Sequence, residues 1–378
     1  NKKVVEASMA VAFGAKLSEP AVIPMYPITP QTHMVERLAD FINDGDLNAE
    51  MLHAESEHAA ISAALGSSAA GVRTFTATAS QGLALMHEVL HIMSGMRLPV
   101  VMAVANRALS APMNIWNDHQ DSVSARDTGW IQFYAESAQE ALDSVIMSYR
   151  IAEDHKVLLP AMVCLDGFTL SHVYEPVDIP IQTKVRTYLP KFKPLHVLDP
   201  KKPITMGPVG FPNSFMDFKR QQQDAMEASI PVIKRATSQF AKAFGRRYGD
   251  GMIELYKMSG AKTAIVAMGT VCSTARVVVD ALRKRGEKAR LIKLRTYRPF
   301  PTQELTKATK NIKKLAVIDK NISFGFMGAL ATDIRAALFK RKIKVNGFIA
   351  GLGGRDITPK DLRYMIKRSD ADSEWINA

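Results

Sequence analysis

Leu98-Pro99-Val100-Val101-Met102-Ala103-Val104-Ala105 is an almost unbroken apolar run, closed by the polar pair Asn106-Arg107. A strand covered on both faces reads this way, whereas a strand with one wet face alternates. Residues 157–165 repeat the pattern and end at Asp166-Gly167. Working outward, residues 21–25 and 72–78 read as two more strands. Helical spacing fills the intervals. Residues 31–42 carry Met34, Val35, Leu38 and Phe41 on one face, and residues 56–65 carry the small side chains Ala59, Ala60, Ala63 and Ala64. Residues 83–94 and 137–154 read as further helices, and residues 4–15 as an opening one. Strand and helix alternate, which predicts a doubly wound parallel α/β sheet.

A second α/β unit follows. Prolines punctuate residues 179–216 from Pro180 to Pro212, so this stretch reads as an ordered connection wrapped on the surface. A polar, basic helix is expected at 219–245. Strands are then expected at 263–268, 289–294, 314–318 and 345–349, with helices at 274–285 and 325–339. The predicted domains are residues 1–245, including the connection, and residues 255–378.

Of the 378 residues, 47% are hydrophobic and 23% charged, the balance of an ordinary globular chain. No apolar run approaches the roughly 20 residues of a membrane-spanning helix. The first 15 residues carry Glu6 inside their apolar stretch and lack a small-residue cleavage site, so they read as a helix and not as a signal peptide. Two distant cysteines, Cys164 and Cys272, have no metal-ligand spacing and are too few for an iron–sulfur cluster. A reducing, cytoplasmic setting is expected. Charge is uneven: residues 1–180 hold 10 Lys+Arg and 21 Asp+Glu, and residues 181–378 hold 39 and 16. The basic half suits a solvated surface, a subunit interface or an anionic ligand. A nucleic-acid-binding scaffold would interleave aromatic residues with the basic ones, and none are so placed.

Polar clusters recur at the expected strand ends, where open α/β sheets bind ligands. Glu57 opens a helix of small residues, so its carboxylate sits beside a buried face and can share a proton with a ligand nitrogen. It reads equally as a first-turn acid favoured by the helix dipole. Glu55 is its exposed neighbour, and His53 and His58 are surface or interface histidines. Thr29 lies in a proline-flanked turn. Arg107 offers a rigid fork for a carboxylate or phosphate, or for the carbonyl ends of the sheet. Asp118-His119-Gln120-Asp121 suits structural hydrogen bonding in a site wall better than a metal site. Gly249-Asp250-Gly251 lacks the later Asn of a metal–diphosphate site and reads as a polar turn. Gly351-Leu352-Gly353-Gly354 lacks the spacing of a dinucleotide fingerprint.

Several stretches resemble the alpha subunits of the 2-oxoacid:ferredoxin oxidoreductases, nearest to the pyruvate:ferredoxin oxidoreductase (pyruvate synthase) branch. They are Tyr26-Pro27-Ile28-Thr29-Pro30, Glu55-Ser56-Glu57-His58-Ala59-Ala60, residues 74–87, Asn106-Arg107-Ala108-Leu109-Ser110-Ala111-Pro112 and residues 114–121. Tyr297-Arg298-Pro299-Phe300-Pro301, Asp319-Lys320-Asn321 and residues 351–356 extend the match through the second unit. The resemblance implies a thiamine diphosphate (TPP) pyrimidine-binding domain followed by a transketolase C-terminal-like domain. It implies a catalytic subunit for oxidative decarboxylation of pyruvate with coenzyme A to acetyl-CoA, CO2 and reduced ferredoxin, or the reverse. A branched-chain or aromatic 2-oxoacid is the alternative. It also implies that Glu57 contacts the aminopyrimidine ring and stabilises its imino tautomer, and that Thr29 and Arg107 hold the substrate carboxylate. Ser80, Gln81, Gly82, Asn114 and Ile115 would face the cofactor. A beta subunit would supply the diphosphate and Mg2+ site, and gamma- and delta-type subunits further [4Fe-4S] clusters. No metal is expected on this chain.

Overall fold

The computed structural model describes residues 2–368 and 370–378. The chain opens with β1 (Lys2–Glu6) and α1 (Ala7–Ser18), then β2 (Val22–Met25), α2 (Thr32–Asn43) and β3 (Glu50–His53). The opening helix expected at 4–15 is corrected: β-branched Val4 and Val5 lie in a strand, and the helix starts only at Ala7. A short apolar run fits either periodicity, and pairing with a distant strand decided this one. Next come α3 (Glu57–Ala69), β4 (Phe75–Thr78), α4 (Ser80–Leu85), α5 (His87–Gly95) and β5 (Val101–Asn106). The single helix expected at 83–94 is two helices, because the chain turns at Met86.

The first half continues through α6 (Gln120–Ser124), β6 (Ile131–Tyr134), α7 (Ala138–Ala152), β7 (Ala161–Asp166) and β8 (Tyr174–Asp178), which pairs antiparallel with β1. The proline-rich connection contains one helix the sequence did not announce, α8 (Gln182–Tyr188), anchored by buried Val185 and Tyr188. The 30-residue α9 (Phe215–Phe244) then ends at Gly245, whose φ of 74° suits a residue without Cβ.

The second half holds β9 (Ile253–Tyr256), β10 (Thr263–Ala267), α10 (Val271–Lys284), β11 (Ala289–Leu294), β12 (Thr296–Arg298) and α11 (Thr302–Ala308). It closes with β13 (Lys314–Asp319), α12 (Ala329–Ala337), β14 (Lys344–Ile349), α13 (Pro359–Lys367) and the short β15 (Glu374–Trp375).

Two sheets organise the molecule. The first runs β12-β6-β7-β5-β4, and the second β15-β14-β13-β10-β11-β9. Both are parallel apart from one antiparallel edge strand each, β12 and β9. The expected doubly wound α/β class is what the chain adopts. β2 and β3 form a parallel pair beside the first sheet, bridged to it from Val22 to Thr74.

One apolar layer packs α1, α2 and α7 on the outer face of the first sheet. Another packs α10 and α13 on the outer face of the second. The middle layer is shared: Met102, Val104 and Met162 of the first sheet join Val266, Ile292 and Val317 of the second. Burying each such side chain is worth about 1.5–3 kcal/mol, so this shared layer contributes strongly to holding the sheets together. The β12 edge also carries residues 296–298 into the first sheet.

Candidate active site

β2, β4, β5 and β7 run parallel, so their carboxyl ends open on one side. Glu57, Thr29, Ser80 and Arg107 all arise from the loops there. Ser56 caps α3 by accepting from the Ala59 N–H at 3.1 Å, which fixes Glu57 as the first helical residue. Glu57 is buried at 8% exposure, and its carboxylate has no hydrogen-bond or ion-pair partner among the described residues. Glu55, His53 and His58 are exposed, as expected.

Gly82 lies against this carboxylate. A Cβ there would sit 2.8 Å from Glu57 Oε1 and 2.4 Å from Thr78 Oγ1. The Thr78 hydroxyl is itself buried without a partner, and so is Gln81 Nε2. A lone carboxylate, hydroxyl and amide around one glycine are groups that a polar ligand would satisfy, since buried polar groups are normally paired.

Asp121 ties these loops together. Its Oδ1 accepts from Asn106 Nδ2 and the Ser122 N–H, both at 2.7 Å, and its Oδ2 accepts from the Ser80 and Arg107 N–H groups, both at 3.0 Å. Burial raises its pKa, against the four donors that favour the charged form. The ends of β4 and β5 are thereby locked to α6. The Ser80 hydroxyl donates to the Ala108 carbonyl at 2.6 Å.

Arg107 is also buried, at 6% exposure. Its Nε donates to the Asn114 carbonyl at 2.9 Å and its Nη1 to the Thr29 carbonyl at 3.0 Å. Two of its donors hold carbonyls, and its remaining N–H groups have no hydrogen-bond partner among the described residues. Burial lowers its pKa, with Asp121 opposing, and the guanidinium stays a cation at neutral pH. Thr29 presents its backbone carbonyl to Arg107 while the residue is exposed. Gln31, which the sequence did not single out, pins this turn by donating to the Ala77 carbonyl at 2.9 Å.

The second sheet braces the Asn114 loop. Asn114 Nδ2 donates to the Gly353 carbonyl at 3.1 Å, and the Gly353 N–H donates to Asp118 at the same distance. Burial pushes Asp118 up to about 6, against that bond and one from the Gln120 N–H. Gly353 and Gly354 have φ of 59° and 83°, and a Cβ on Gly354 would lie 2.4 Å from Trp116 Cβ. The glycine-rich turn thus allows close packing on the loop. Ile115 is half-buried beside it.

His119 and Asp166 meet at 2.7 Å, and Lys320 and the Thr270 N–H converge on the same aspartate at 3.0 and 3.1 Å. Asp118, His119 and Asp121 thus all take part in hydrogen bonds between loops, and among the described residues no cluster of His, Cys, Asp and Glu is arranged to hold a metal. Gly249-Asp250-Gly251 is a turn in which Asp250 accepts from the Met252 and Ile253 N–H groups. A cleft of about 820 Å³ lies at the opposite ends of the strands, against Ala21, Val72 and Arg73. Its Arg73 is already held by Glu153 and two carbonyls. No helix among the described residues is long and apolar enough to cross a membrane.

Residues 13–237 match the family model described as pyruvate flavodoxin/ferredoxin oxidoreductase, thiamine diphosphate-binding, and residues 261–362 match pyruvate:ferredoxin oxidoreductase core domain II. The fold and these matches define an oxidoreductase chain with a TPP-binding unit. Pyruvate synthase subunit PorA of Methanothermobacter thermautotrophicus is 54% identical over 368 residues, 97% of this chain and 95% of the relative. The chain belongs to the pyruvate flavodoxin/ferredoxin oxidoreductase family. PorA of Methanocaldococcus jannaschii is 52% identical over 99% of this chain and 97% of its own. Ketoisovalerate oxidoreductase subunit VorA of Pyrococcus horikoshii is 43% identical over 99% of this chain and 97% of its own. The fold is shared with 2-oxoglutarate:ferredoxin oxidoreductase from Magnetococcus marinus, solved with 2-oxoglutarate, coenzyme A and succinyl-CoA. The TM-score is 0.74 at 19% identity, over 97% of this chain and 65% of that one.

Proposed function

We propose that this chain is the alpha subunit of a TPP-dependent pyruvate:ferredoxin oxidoreductase. Pyruvate, coenzyme A and two oxidised ferredoxins would give acetyl-CoA, CO2, two reduced ferredoxins and a proton, or the reverse. The observation that carries this reading is near-full-length identity of 52–54% to pyruvate synthase subunits, against 43% to a ketoisovalerate subunit.

The unpartnered groups around Gly82 fit the aminopyrimidine end of TPP. When bound, TPP supplies an electron sink for the carbon that loses CO2. Glu57 would hold a proton at a ring nitrogen. Ser80, Gln81 and Gly82 would position the ring, with the Gln81 amide as donor and the bare Gly82 backbone allowing close approach. Asn114 and Ile115 would face the cofactor, Ile115 keeping water away. Arg107 and Thr29 would hold the carboxylate of the 2-oxoacid, Arg107 through its uncommitted N–H groups. Partner subunits would complete the site: a beta subunit for the diphosphate and Mg2+, and gamma- and delta-type subunits with [4Fe-4S] clusters that pass electrons to ferredoxin. Residues 1–245 and 255–378 would be its two domains, and the cytoplasm its location.

The test is to purify the native complex and assay pyruvate, 2-oxoisovalerate and phenylglyoxylate with coenzyme A and a viologen dye. Pyruvate should lead in kcat/KM by about ten-fold or more, the discrimination that one or two methylenes of pocket shape provide. Preference for 2-oxoisovalerate would move the chain to the branched-chain branch.

A further inference from the structure

A groove of about 630 Å³ runs along β9, the edge strand of the second sheet, and is walled by α9, α11 and the start of β11. It shares no lining residue with the candidate active site. Arg290 lies in its wall at 4% exposure. The Arg290 Nε is buried without a hydrogen-bond partner, and Nη1 reaches only the Met258 sulfur, at 3.3 Å. A thioether is a weak acceptor, and a guanidinium cannot shed its charge in a protein. Burial and the neighbouring Arg283 both act against the charged form.

The acids of the groove are already committed. Lys234 pairs with Glu304 and, at 3.7 Å, with Asp250, while Arg276 pairs with Glu254 at 3.0 Å. Arg290, Lys307 and Lys310 have no ion-pair partner among the described residues. A buried cation left uncompensated is strongly unfavourable, so an anion at this point would remove a standing cost. Ile253, Leu255, Met258 and Ala308 form the apolar part of the wall, beside Arg247, Gly249 and Asn311. The volume falls within the roughly 300–1,000 Å³ of small-molecule sites and far exceeds what a bare phosphate fills.

We propose that this groove binds a nucleoside phosphate, with the phosphates on Arg290, Lys307 and Lys310 and the base against Leu255, Met258 and Ala308. The guanidinium fork suits phosphate oxygens, two lysines in the same lining suit more than one phosphate, and the apolar wall suits a flat heterocycle. The site is independent of the proposed reaction.

The test uses the purified complex without coenzyme A, which is itself an adenosine phosphate and would occupy the groove; dependence on Arg290 and Lys310 separates the groove from any coenzyme A site. ADP, AMP and inorganic pyrophosphate are titrated by calorimetry. ADP should bind, AMP more weakly, and pyrophosphate more weakly than ADP because it lacks the base. Arg290→Met should weaken ADP binding by about ten- to hundred-fold, the size of a lost charge-assisted contact. Lys310→Ala, at an exposed rim position whose loss does not threaten folding, should weaken it about three- to ten-fold. ADP should also raise the thermal midpoint of the wild type and not of Arg290→Met. No ADP binding, binding indifferent to both substitutions, or pyrophosphate binding as tightly as ADP would each overturn the proposal.

Discussion

Glu57→Gln keeps the volume of the side chain and removes its capacity to hold a proton at a ring nitrogen. In the assembled complex, exchange of the TPP C2 proton should fall by about 10²-fold, the usual size of an acid–base contribution. Wild-type exchange would leave Glu57 as a first-turn acid only. Arg107→Met should raise the KM for the 2-oxoacid far more than it slows that exchange, by about ten- to hundred-fold in kcat/KM, or roughly 1.5–3 kcal/mol. Thr29→Val should act the same way but less, because the carbonyl that Arg107 grips survives the substitution. If Arg107→Met instead weakened only coenzyme A, its fork would be reading a phosphate. At this scale the burial of Glu57 was legible from the small residues that follow it. The junction role of Asp121 was not, since its four donors come from three separate stretches of chain.

Gly82 shows how an element can be fixed by what it lacks. Gly82→Ala places a methyl within 2.4 Å of Thr78 and 2.8 Å of Glu57, so α4 or the carboxylate must shift. Such overpacking costs about 1–3 kcal/mol. The expected result is weaker TPP binding by the complex with secondary structure retained, checked by equilibrium dialysis and circular dichroism. Unchanged affinity would show that α4 does not face the cofactor. The amphipathic face of α2 could be read in advance down to Met34, Val35, Leu38 and Phe41, all buried. The strands β1 and β8 could not, because each is short and finds its register only against the other, across more than half of the first unit.

Across the whole molecule, a buried ionic network joins the two sheets. Lys293 at the end of β11 meets Glu136 at 2.9 Å and Glu140 at 2.6 Å, and Arg276 and Arg295 complete the cluster. Lys293→Met should destabilise the protein by about 3 kcal/mol or more, read from the urea midpoint, because two buried carboxylates lose a shared cation. Burial would raise the Glu136 pKa, but Arg276 and Lys293 hold it at about 2, below its ordinary 4.5. A depressed carboxyl stabilises the fold above pH 4.5, and that contribution is lost as pH falls toward about 2. Lys293→Met should therefore flatten the acid limb of the stability curve in that window; an unchanged slope would mean Arg276 alone sets the shift. A further expectation is that the isolated chain binds TPP poorly and does not turn over 2-oxoacids, since Asp250 is spent within its own turn. Turnover by the chain alone would defeat the shared site.

What the sequence determined by itself was the class of fold. Continuous apolar strands with polar ends, alternating with helices, are local patterns that leave few alternatives to a parallel α/β sheet. Thr29, Glu57 and Arg107 could be chosen because each follows such a strand or opens the helix after it, whereas Ser80 was chosen only through the family resemblance. Only the tertiary structure decided how those loops meet. The Gly353 turn braces Asn114 from 239 positions away, and Met102 and Val266 share one apolar layer. Burial, charge pairing and close approach are properties of neighbours in space, and neighbours in space are set by packing that no local periodicity encodes.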